Sequence, residues 1–310
     1  MRTKITKNPN GMSSRRQFLS IIAAISATAG FGLSGRAVAV EKDFPAAAVW
    51  PLWLVEKAGS TVYLMGETPA RANAWSDARV EALVKTCAEV WTETNQIRHK
   101  NPKELVAKYG LDTSKPITER LSANDVDRLK QVAELAKFPM EALAPMKPWL
   151  AAFTIESAYF GSLKLNEEGT AERVLLRSAK ALNIPHASEF RSQDDLIEFM
   201  GGMTPQEDSQ FLQYTLDHIL AGHAENERIY AAWARGDSGP ADAFVSNVKR
   251  VQPDLYAKHM VARNRSWLPR FAAMQKQSKP SLVIVGLYHM AGPDSLLEQL
   301  RADGWHVRAA

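Results

Sequence analysis

An uninterrupted apolar run near the carboxyl end, Ser281–Gly286 (SLVIVG), constrains the fold of this chain most. A run of this length without polar alternation is typical of a strand that is buried on both faces. Such strands lie in the interior of parallel or mixed sheets, where helices cover both faces. The run therefore favours an α/β fold over an all-helical or a sandwich fold.

Further strands are predicted at the other end of the chain. Two short apolar runs, Trp50–Glu56 and Thr61–Gly66, flank a four-residue turn, 57–60, and predict a β-hairpin, and Val90–Thr94 predicts a third strand. Helix start signals dominate the middle of the chain, with a short strand predicted over Pro185–Phe190. After the apolar run, Pro293 predicts a helix start, Gly304 predicts its end, and a final strand is predicted over 305–308. We therefore predict one domain over residues 40–310, with a central mixed sheet formed from both ends of the mature chain and a large helical insertion at about 101–277.

The amino terminus has the organisation of an export signal. Arg15 and Arg16 precede a mildly apolar stretch, Phe18–Leu33, and the small-residue site Ala37-Val38-Ala39 follows. Paired arginines in this order indicate the twin-arginine route. We expect residues 1–39 to be a cleaved signal peptide and the mature protein to be periplasmic or otherwise extracytoplasmic. An uncleaved anchor is the alternative, but the apolar stretch is shorter than the roughly 20 residues that a span needs.

The charge of the mature chain argues against a nucleic-acid partner. The full chain has 38 basic and 34 acidic residues, and six of the basic residues but none of the acidic ones lie in residues 1–39. The mature chain therefore has a net charge of −2, and it has no overall positive field to attract a phosphate backbone. No segment after residue 40 is long and apolar enough to predict a membrane span.

Polar residues at strand ends are the candidates for chemistry. The buried strand at Ser281 delivers Gly286 and then, three residues later, His289, at the edge of the sheet where α/β proteins bind ligands. A histidine there is suited to proton transfer or metal binding. Glu93 emerges from the apolar strand 90–94, and a carboxylate in that position is costly unless it is paired, metal-bound or hydrated. Arg263-Asn264 places a guanidinium and an amide together in a helical stretch.

These segments, in this order and spacing, resemble the TraB/GumN family, which is related to the Tiki metalloproteases. The resemblance runs across essentially the whole mature chain. It is carried by the following segments: Trp53 with Val62–Gly66, the Glu93 strand, Lys147–Leu150, Gly169–Leu175, Pro185–Glu189, Arg263-Asn264 and Gly286–Gly292.

The resemblance implies an α/β fold and a site built from two G-x-x-H motifs, a strand-end glutamate and the Arg-Asn pair. On this basis His289, Glu93, Arg263 and Asn264 are predicted to be catalytic. His289 and Glu93 are the predicted metal ligands, and Mn²⁺ or Zn²⁺ is the predicted cofactor. The residues predicted to line the cleft are Gly66, Glu67, Glu189, Gly286 and Tyr288.

The chain departs from this family pattern at two places. The first G-x-x-H motif reads Gly66-Glu67-Thr68-Pro69, so one expected histidine ligand is absent. The acid expected after Gly169 is also displaced, because Thr170-Ala171-Glu172 follows. A divalent metal normally takes three or four protein ligands, and His289 with Glu93 supplies only two. Glu67 and Glu189 are the candidates to complete the set, since oxygen ligands suit Mn²⁺.

Three functions follow from these features. The first is an exported metal-dependent hydrolase of the peptidase type, which would act on a peptide or another amide. The second is a catalytically degenerate module that binds a small molecule or a protein in the same cleft. The third is haem or iron binding, with Tyr288, His289 and Met290 as axial ligands. The sequence leaves the substrate and the oligomeric state undetermined.

Overall fold

The computed structural model describes residues 50–94 and 102–310 of the chain. The predicted signal peptide therefore lies outside the described residues. Within them, six strands form one sheet with the order β4-β3-β5-β2-β1-β6. The strands are β1 (Leu52–Lys57), β2 (Ser60–Glu67), β3 (Glu89–Thr94), β4 (His186–Phe190), β5 (Ser281–Gly286) and β6 (His306–Ala309).

Helices connect these strands and occupy most of the middle of the chain. The α-helices are α1 (Ala78–Val84), α2 (Pro102–Gly110), α3 (Ala123–Leu135), α4 (Met140–Leu143), α5 (Pro148–Leu163), α6 (Ala171–Ala181), α7 (Gln193–Gly201), α8 (Pro205–Leu220), α9 (His223–Trp233), α10 (Gly239–Val251), α11 (Pro253–Tyr256), α12 (Arg263–Met274) and α13 (Leu296–Ala302). Short 3₁₀ segments span Ile117–Glu119, Glu167–Gly169 and Leu287–Met290, and a π-helical segment spans Ala257–Ala262.

The sheet is mixed, as predicted, and both ends of the chain contribute to it. Strand β5 pairs in parallel with β2 on one side and with β3 on the other, and β3 pairs in parallel with β4. Strand β1 runs antiparallel to both β2 and β6. Residues 281–285 of β5 are all buried, which confirms the prediction made from the apolar run. The carboxyl ends of β2, β3, β4 and β5 therefore meet at one edge of the sheet.

The hairpin between β1 and β2 closes through a tighter turn than the sequence indicated. Lys57 pairs with Ser60, so the loop contains only Ala58 and Gly59. Both loop residues have positive φ, 51° and 80°. This is the conformation of a two-residue turn whose twist matches that of the flanking strands.

Two details differ from the expectation. The sheet was predicted to form from the two ends of the chain, but β4, the strand predicted within the helical insertion, also pairs with β3 and forms one edge of the sheet. The prediction that a helix starts at Pro293 is wrong, since α13 begins at Leu296. There the Ser295 hydroxyl accepts a hydrogen bond from the Glu298 N–H and caps the helix. Gly304, with φ 82°, lies just past the end of α13 as predicted.

The apolar core consists of two clusters. One surrounds the sheet and includes residues of α9, α10 and α12, among them Trp233, Val245 and Trp267. The other lies among α2, α3, α5, α7 and α8, with Leu129, Leu150 and Leu216 at its centre. Within the ranges 50–94 and 102–310, none of the helices is long and apolar enough to span a membrane.

Gly66 in β2 offers a test of how tightly the sheet is packed. A Cβ at this position would lie 2.5 Å from Cζ2 of Trp233, whose indole N–H donates to the Gly66 carbonyl. We expect Gly66→Ala to lower the free energy of unfolding by about 1–3 kcal/mol through overpacking. Gly161→Ala in α5 is the matched control, because a Cβ there meets nothing within 4 Å. The control should be neutral or stabilising by up to about 1 kcal/mol. Urea unfolding measures both, and equal effects would contradict this account.

Candidate functional site

The parallel strands bring the predicted polar residues to one edge of the sheet. Glu67 ends β2, Glu93 lies one residue before the end of β3, and Gly286 ends β5. Glu189 occupies the equivalent place in β4, and His289 lies in the 3₁₀ turn that follows β5. This convergence is a consequence of parallel pairing, which aligns the carboxyl ends of the strands.

Arg263 is the centre of the site. Its Nη2 donates to Glu93 Oε2 and to Glu189 Oε2, each at 2.6 Å, and its Nε lies 3.2 Å from both Glu189 oxygens. Its Nη1 lies 3.3 Å from His289 Nε2. Arg263 is the first residue of α12 and follows directly on the π-helical segment, a rare element that is frequent at functional sites. The guanidinium therefore links β3, β4 and the turn after β5 through one side chain.

The hydrogen bonds of Asn264 fix the protonation of His289. Asn264 Nδ2 donates to the carbonyl of Asp294 at 3.1 Å, which leaves Oδ1 facing His289 Nδ1 at 2.7 Å. Since an amide oxygen only accepts, Nδ1 carries the imidazole proton and Nε2 carries the lone pair. Burial, together with the charge of Arg263, lowers the pKa of His289 to about 4, against the opposing effect of Glu93. At neutral pH the ring is uncharged, with Nε2 directed at the guanidinium.

Glu93 is held as a carboxylate. Burial by itself would raise its pKa, but the charge of Arg263 and the hydrogen bond from the Gly286 N–H, at 2.6 Å, lower the pKa to about 2. Both carboxylate oxygens have partners, since Oε1 accepts from Gly286 and Oε2 from Arg263. The side chain is fully occupied by hydrogen bonds and is oriented by them.

Glu67 lies in a different environment. Its Oε2 accepts the backbone N–H of Glu172, at 2.6 Å, at the start of α6. Burial and the neighbouring Glu172 raise the pKa of Glu67 well above its ordinary value, and burial with the nearby Glu93 raises that of Glu172 to about 7. The edge of the sheet therefore combines a carboxylate that stays ionised, Glu93, with carboxyl groups that favour the protonated form.

Two adjacent cavities open at this edge. The arginine cavity has a volume of about 220 Å³ and is bordered by Glu93, Arg263 and His289 together with apolar side chains of α8, α10 and α11. The acidic cavity has a volume of about 320 Å³ and is lined by Glu67, Glu93, Glu156 and Glu172 together with aromatic side chains. Both cavities share the walls formed by Glu93, Tyr214, Gly286 and Tyr288.

The remaining predicted residues have varied positions. Gly286 and Tyr288 line both cavities, and Glu67 lines the acidic one. Gly66 is buried beneath the indole of Trp233, and Glu189 contacts Arg263. The side chains of Glu93, Arg263, Asn264 and His289 form one connected group.

Several cavity residues were missed by sequence reasoning, namely Glu156, Glu172, Tyr214, His218 and Tyr230. In the sequence, His218 lies five residues before His223, a spacing that does not fit a zinc motif of the H-E-x-x-H type, so it is not predicted to be a site residue. It is buried, and its Nε2 lies 2.9 Å from the Tyr230 hydroxyl. Glu156 lies in a mostly apolar helix, α5. A charged residue among apolar ones was the feature of the sequence that could have indicated a site residue there.

A divalent metal can be tested against the donor atoms that are present. His289 Nε2 and Glu93 Oε2 lie 3.6 Å apart, and the Arg263 guanidinium contacts both. Pro69, in the place of the expected histidine, has no donor side chain. Within the described ranges, no three His, Cys, Asp or Glu side chains come close enough together to hold a metal ion. The donor set in this arrangement does not fit a divalent metal, since such ions need three or four protein ligands.

Comparison with protein families gives a match that covers most of the chain. The model of the TraB/PrgY/gumN family matches residues 51–309. The chain belongs to the TraB/PrgY/gumN family. Searches of curated proteins and of solved structures found no significant match. In this TraB/PrgY/gumN protein, Glu93, the Arg263-Asn264 pair and His289 are in contact with one another, and Pro69 stands where the resemblance implied a first histidine.

Replacement of Arg263 tests its central role. In Arg263→Met, Glu93 and Glu189 lose their shared cation, and we expect the free energy of unfolding to fall by about 3–5 kcal/mol at neutral pH. Arg263→Lys should lower the free energy of unfolding by less than Arg263→Met, because an ammonium keeps the positive charge. It should still be less stable than the wild type, because an ammonium cannot bridge all three partners. The exposed Arg177, which pairs with Glu168, is the control, and Arg177→Met should cost no more than about 1 kcal/mol.

The same variant has a defined pH dependence. The pKa of Glu93 is lowered, so its ion pair stabilises the wild type above the ordinary pKa of 4.5, and this contribution is lost as the pH falls towards about 2. In Arg263→Met the unpaired carboxylates favour protonation. We therefore expect the gap in stability between wild type and variant to narrow as the pH falls below 4.5. Urea unfolding across this range measures the gap, and a constant gap would disprove the ion-pair account.

Proposed function

We propose that this protein is an exported ligand-binding member of the family, which binds a small molecule at the carboxyl edge of its sheet without a catalytic metal. The observation that carries the proposal is the set of contacts made by Arg263. The guanidinium donates to Glu93 and Glu189 and faces His289 Nε2. The positively charged side chain of Arg263 therefore lies among the groups that would have to bind a metal ion.

The cavities support a ligand-binding role. The acidic cavity, at about 320 Å³, is at the lower end of the range for small-molecule sites, and the adjacent arginine cavity adds about 220 Å³. They lie outside the carboxyl ends of parallel strands, where α/β proteins bind their ligands. Their walls combine aromatic and apolar side chains with a few fixed polar groups, which is the usual composition of such sites.

The metal-dependent hydrolase of the peptidase type is the second candidate. It is favoured by one observation, the unprotonated Nε2 of the buried His289 beside the ionised Glu93. For Mn²⁺ or Zn²⁺ to bind there, Arg263 would have to leave both carboxylates. The haem hypothesis has no comparable support, because both nitrogens of His289 already face protein partners.

Metal analysis and ligand binding on protein recovered after export separate these functions. We expect less than stoichiometric Mn²⁺ or Zn²⁺ in the purified protein and no cleavage of peptides that depends on added metal. Native mass spectrometry should detect a small molecule bound to the wild type. Tyr288→Ala, which removes a wall shared by both cavities, should lose it.

The Pro69→His variant supplies the matched comparison. This substitution restores the family's first G-x-x-H motif. Metal binding by this variant but not by the wild type would support the proposal that the wild type has no metal site. Stoichiometric metal in the wild type, with metal-dependent peptide cleavage that His289→Ala abolishes, would overturn the proposal in favour of the hydrolase.

The export part of the proposal rests on the paired arginines. We expect replacement of both Arg15 and Arg16 by lysine to retain the protein in the cytoplasm with its amino terminus intact. Arg36→Lys changes a basic residue of the same segment outside the pair and should leave export unchanged. Amino-terminal sequencing of exported wild type should begin at Val40. Export of the double variant at the wild-type level would contradict the twin-arginine route.

A further inference from the structure

The acidic cavity has an unusual distribution of charge. Its four glutamates come from four separate elements: Glu67 from β2, Glu93 from β3, Glu156 from α5 and Glu172 from α6. No lysine or arginine is among the residues of the described chain that line it. Of the four, Glu93 forms an ion pair with Arg263, which lines the neighbouring cavity. Among the described residues, the carboxyl groups of this cavity that lack an ion pair are therefore the other three.

Two of these carboxyl groups have no protein partner. In the part of the chain that the structure describes, the carboxyl groups of Glu156 and Glu172 make no hydrogen bond and no ion pair. Glu67 uses one oxygen to accept the Glu172 N–H. Burial alone raises the pKa of Glu156 to about 7, which agrees with a carboxyl group that lacks a compensating cation. Such groups are costly inside a protein unless something else neutralises them.

The rest of the wall is aromatic. Phe160, Tyr214, Tyr230 and Tyr288 border the same cavity as the glutamates. The faces of aromatic rings attract cations through the ring quadrupole, and combinations of such rings with carboxylates recognise ammonium groups. The glutamates are also too dispersed for a compact ion, since no three acidic or histidine side chains within 50–94 and 102–310 are close enough to hold a metal.

We propose that the acidic cavity binds an organic cation, a small molecule with one or more ammonium groups, between its unpaired carboxylates and its aromatic walls. This inference rests on the proposed ligand-binding function and gives the chemical class of the ligand. The ammonium groups supply a positive charge inside the cavity, whereas Arg173 acts on Glu67 and Glu172 from outside its lining. The rings pack against the carbon chain.

The test measures binding of two amines and of their neutral counterparts to the full exported protein by titration calorimetry. Putrescine is paired with 1,4-butanediol, and benzylamine with benzyl alcohol. We expect at least one amine to bind about tenfold or more tightly than its alcohol. Glu156→Gln should weaken that binding by about 10- to 100-fold, as expected for the loss of a hydrogen bond to a charged group. Glu298→Gln, which changes an exposed acid that pairs with Arg301 in α13, is the matched control and should bind as the wild type does.

Thermal unfolding shows whether Glu156→Gln still folds. Because this substitution removes an unpaired buried carboxyl group, its melting temperature should equal or exceed that of the wild type at neutral pH. Normal melting with weakened amine binding assigns the effect to the cavity. Amine binding that is unaffected by Glu156→Gln would overturn the location of the site.

Two other outcomes separate this inference from the proposed function. If an alcohol binds as tightly as its amine, or if the bound small molecule found by mass spectrometry carries no positive charge, the cation inference fails while ligand binding stands. If no small molecule binds and the wild type takes up a stoichiometric metal, the proposed function fails, and the inference fails with it.

Discussion

The guanidinium of Arg263 is the contact on which the site depends. Glu93 and Glu189 project from adjacent parallel strands at the same edge, and without a shared cation the two carboxylates would repel each other in a poorly hydrated place. Arg263 provides that cation in a planar form with several donors, so it pairs with both acids and still faces His289. Asn264, the next residue, then orients the histidine ring. Two consecutive residues at one helix end thereby set the charge and the proton position of the whole group.

This arrangement divides the edge of the sheet into two electrostatic regions. Around Arg263 the charges are paired, Glu93 stays ionised and His289 is neutral. A few residues away, Glu67 and Glu172 have raised pKa values because they are buried without such a partner. Tyr288 and Gly286 lie on the boundary and contribute to both cavities. A ligand at this edge would therefore meet an ion-paired polar surface on one side and carboxyl groups without an ion pair on the other.

Much of the sheet was predictable because its signals are local. Short stretches of sequence are enough to predict the apolar strand β5, the hairpin of β1 and β2, and the strand β4. Parallel pairing of such strands then brings their carboxyl ends to one edge of the sheet. The predicted start of α13 was wrong because Pro293 suggested a start, whereas the Ser295 cap decides it. For the site, Glu93 and His289 could be named beforehand from their places at strand ends. Arg263 and Asn264, which lie in a helix, were added by the family resemblance.

The sequence by itself determined the α/β class, the family and the polar residues that end each strand. These depend on apolar periodicity and on motifs that are contiguous in the chain. Only the tertiary structure decided that Arg263 bonds Glu93 and Glu189, and that Glu156 and Glu172 face the same cavity as Glu67. Glu156 lies on a helix and Glu172 at the start of another, far from β2 and β3 in the sequence, so no local pattern relates them. Their proximity comes from how α5 and α6 pack beside the sheet, and packing between distant elements sets the charge that a cavity presents.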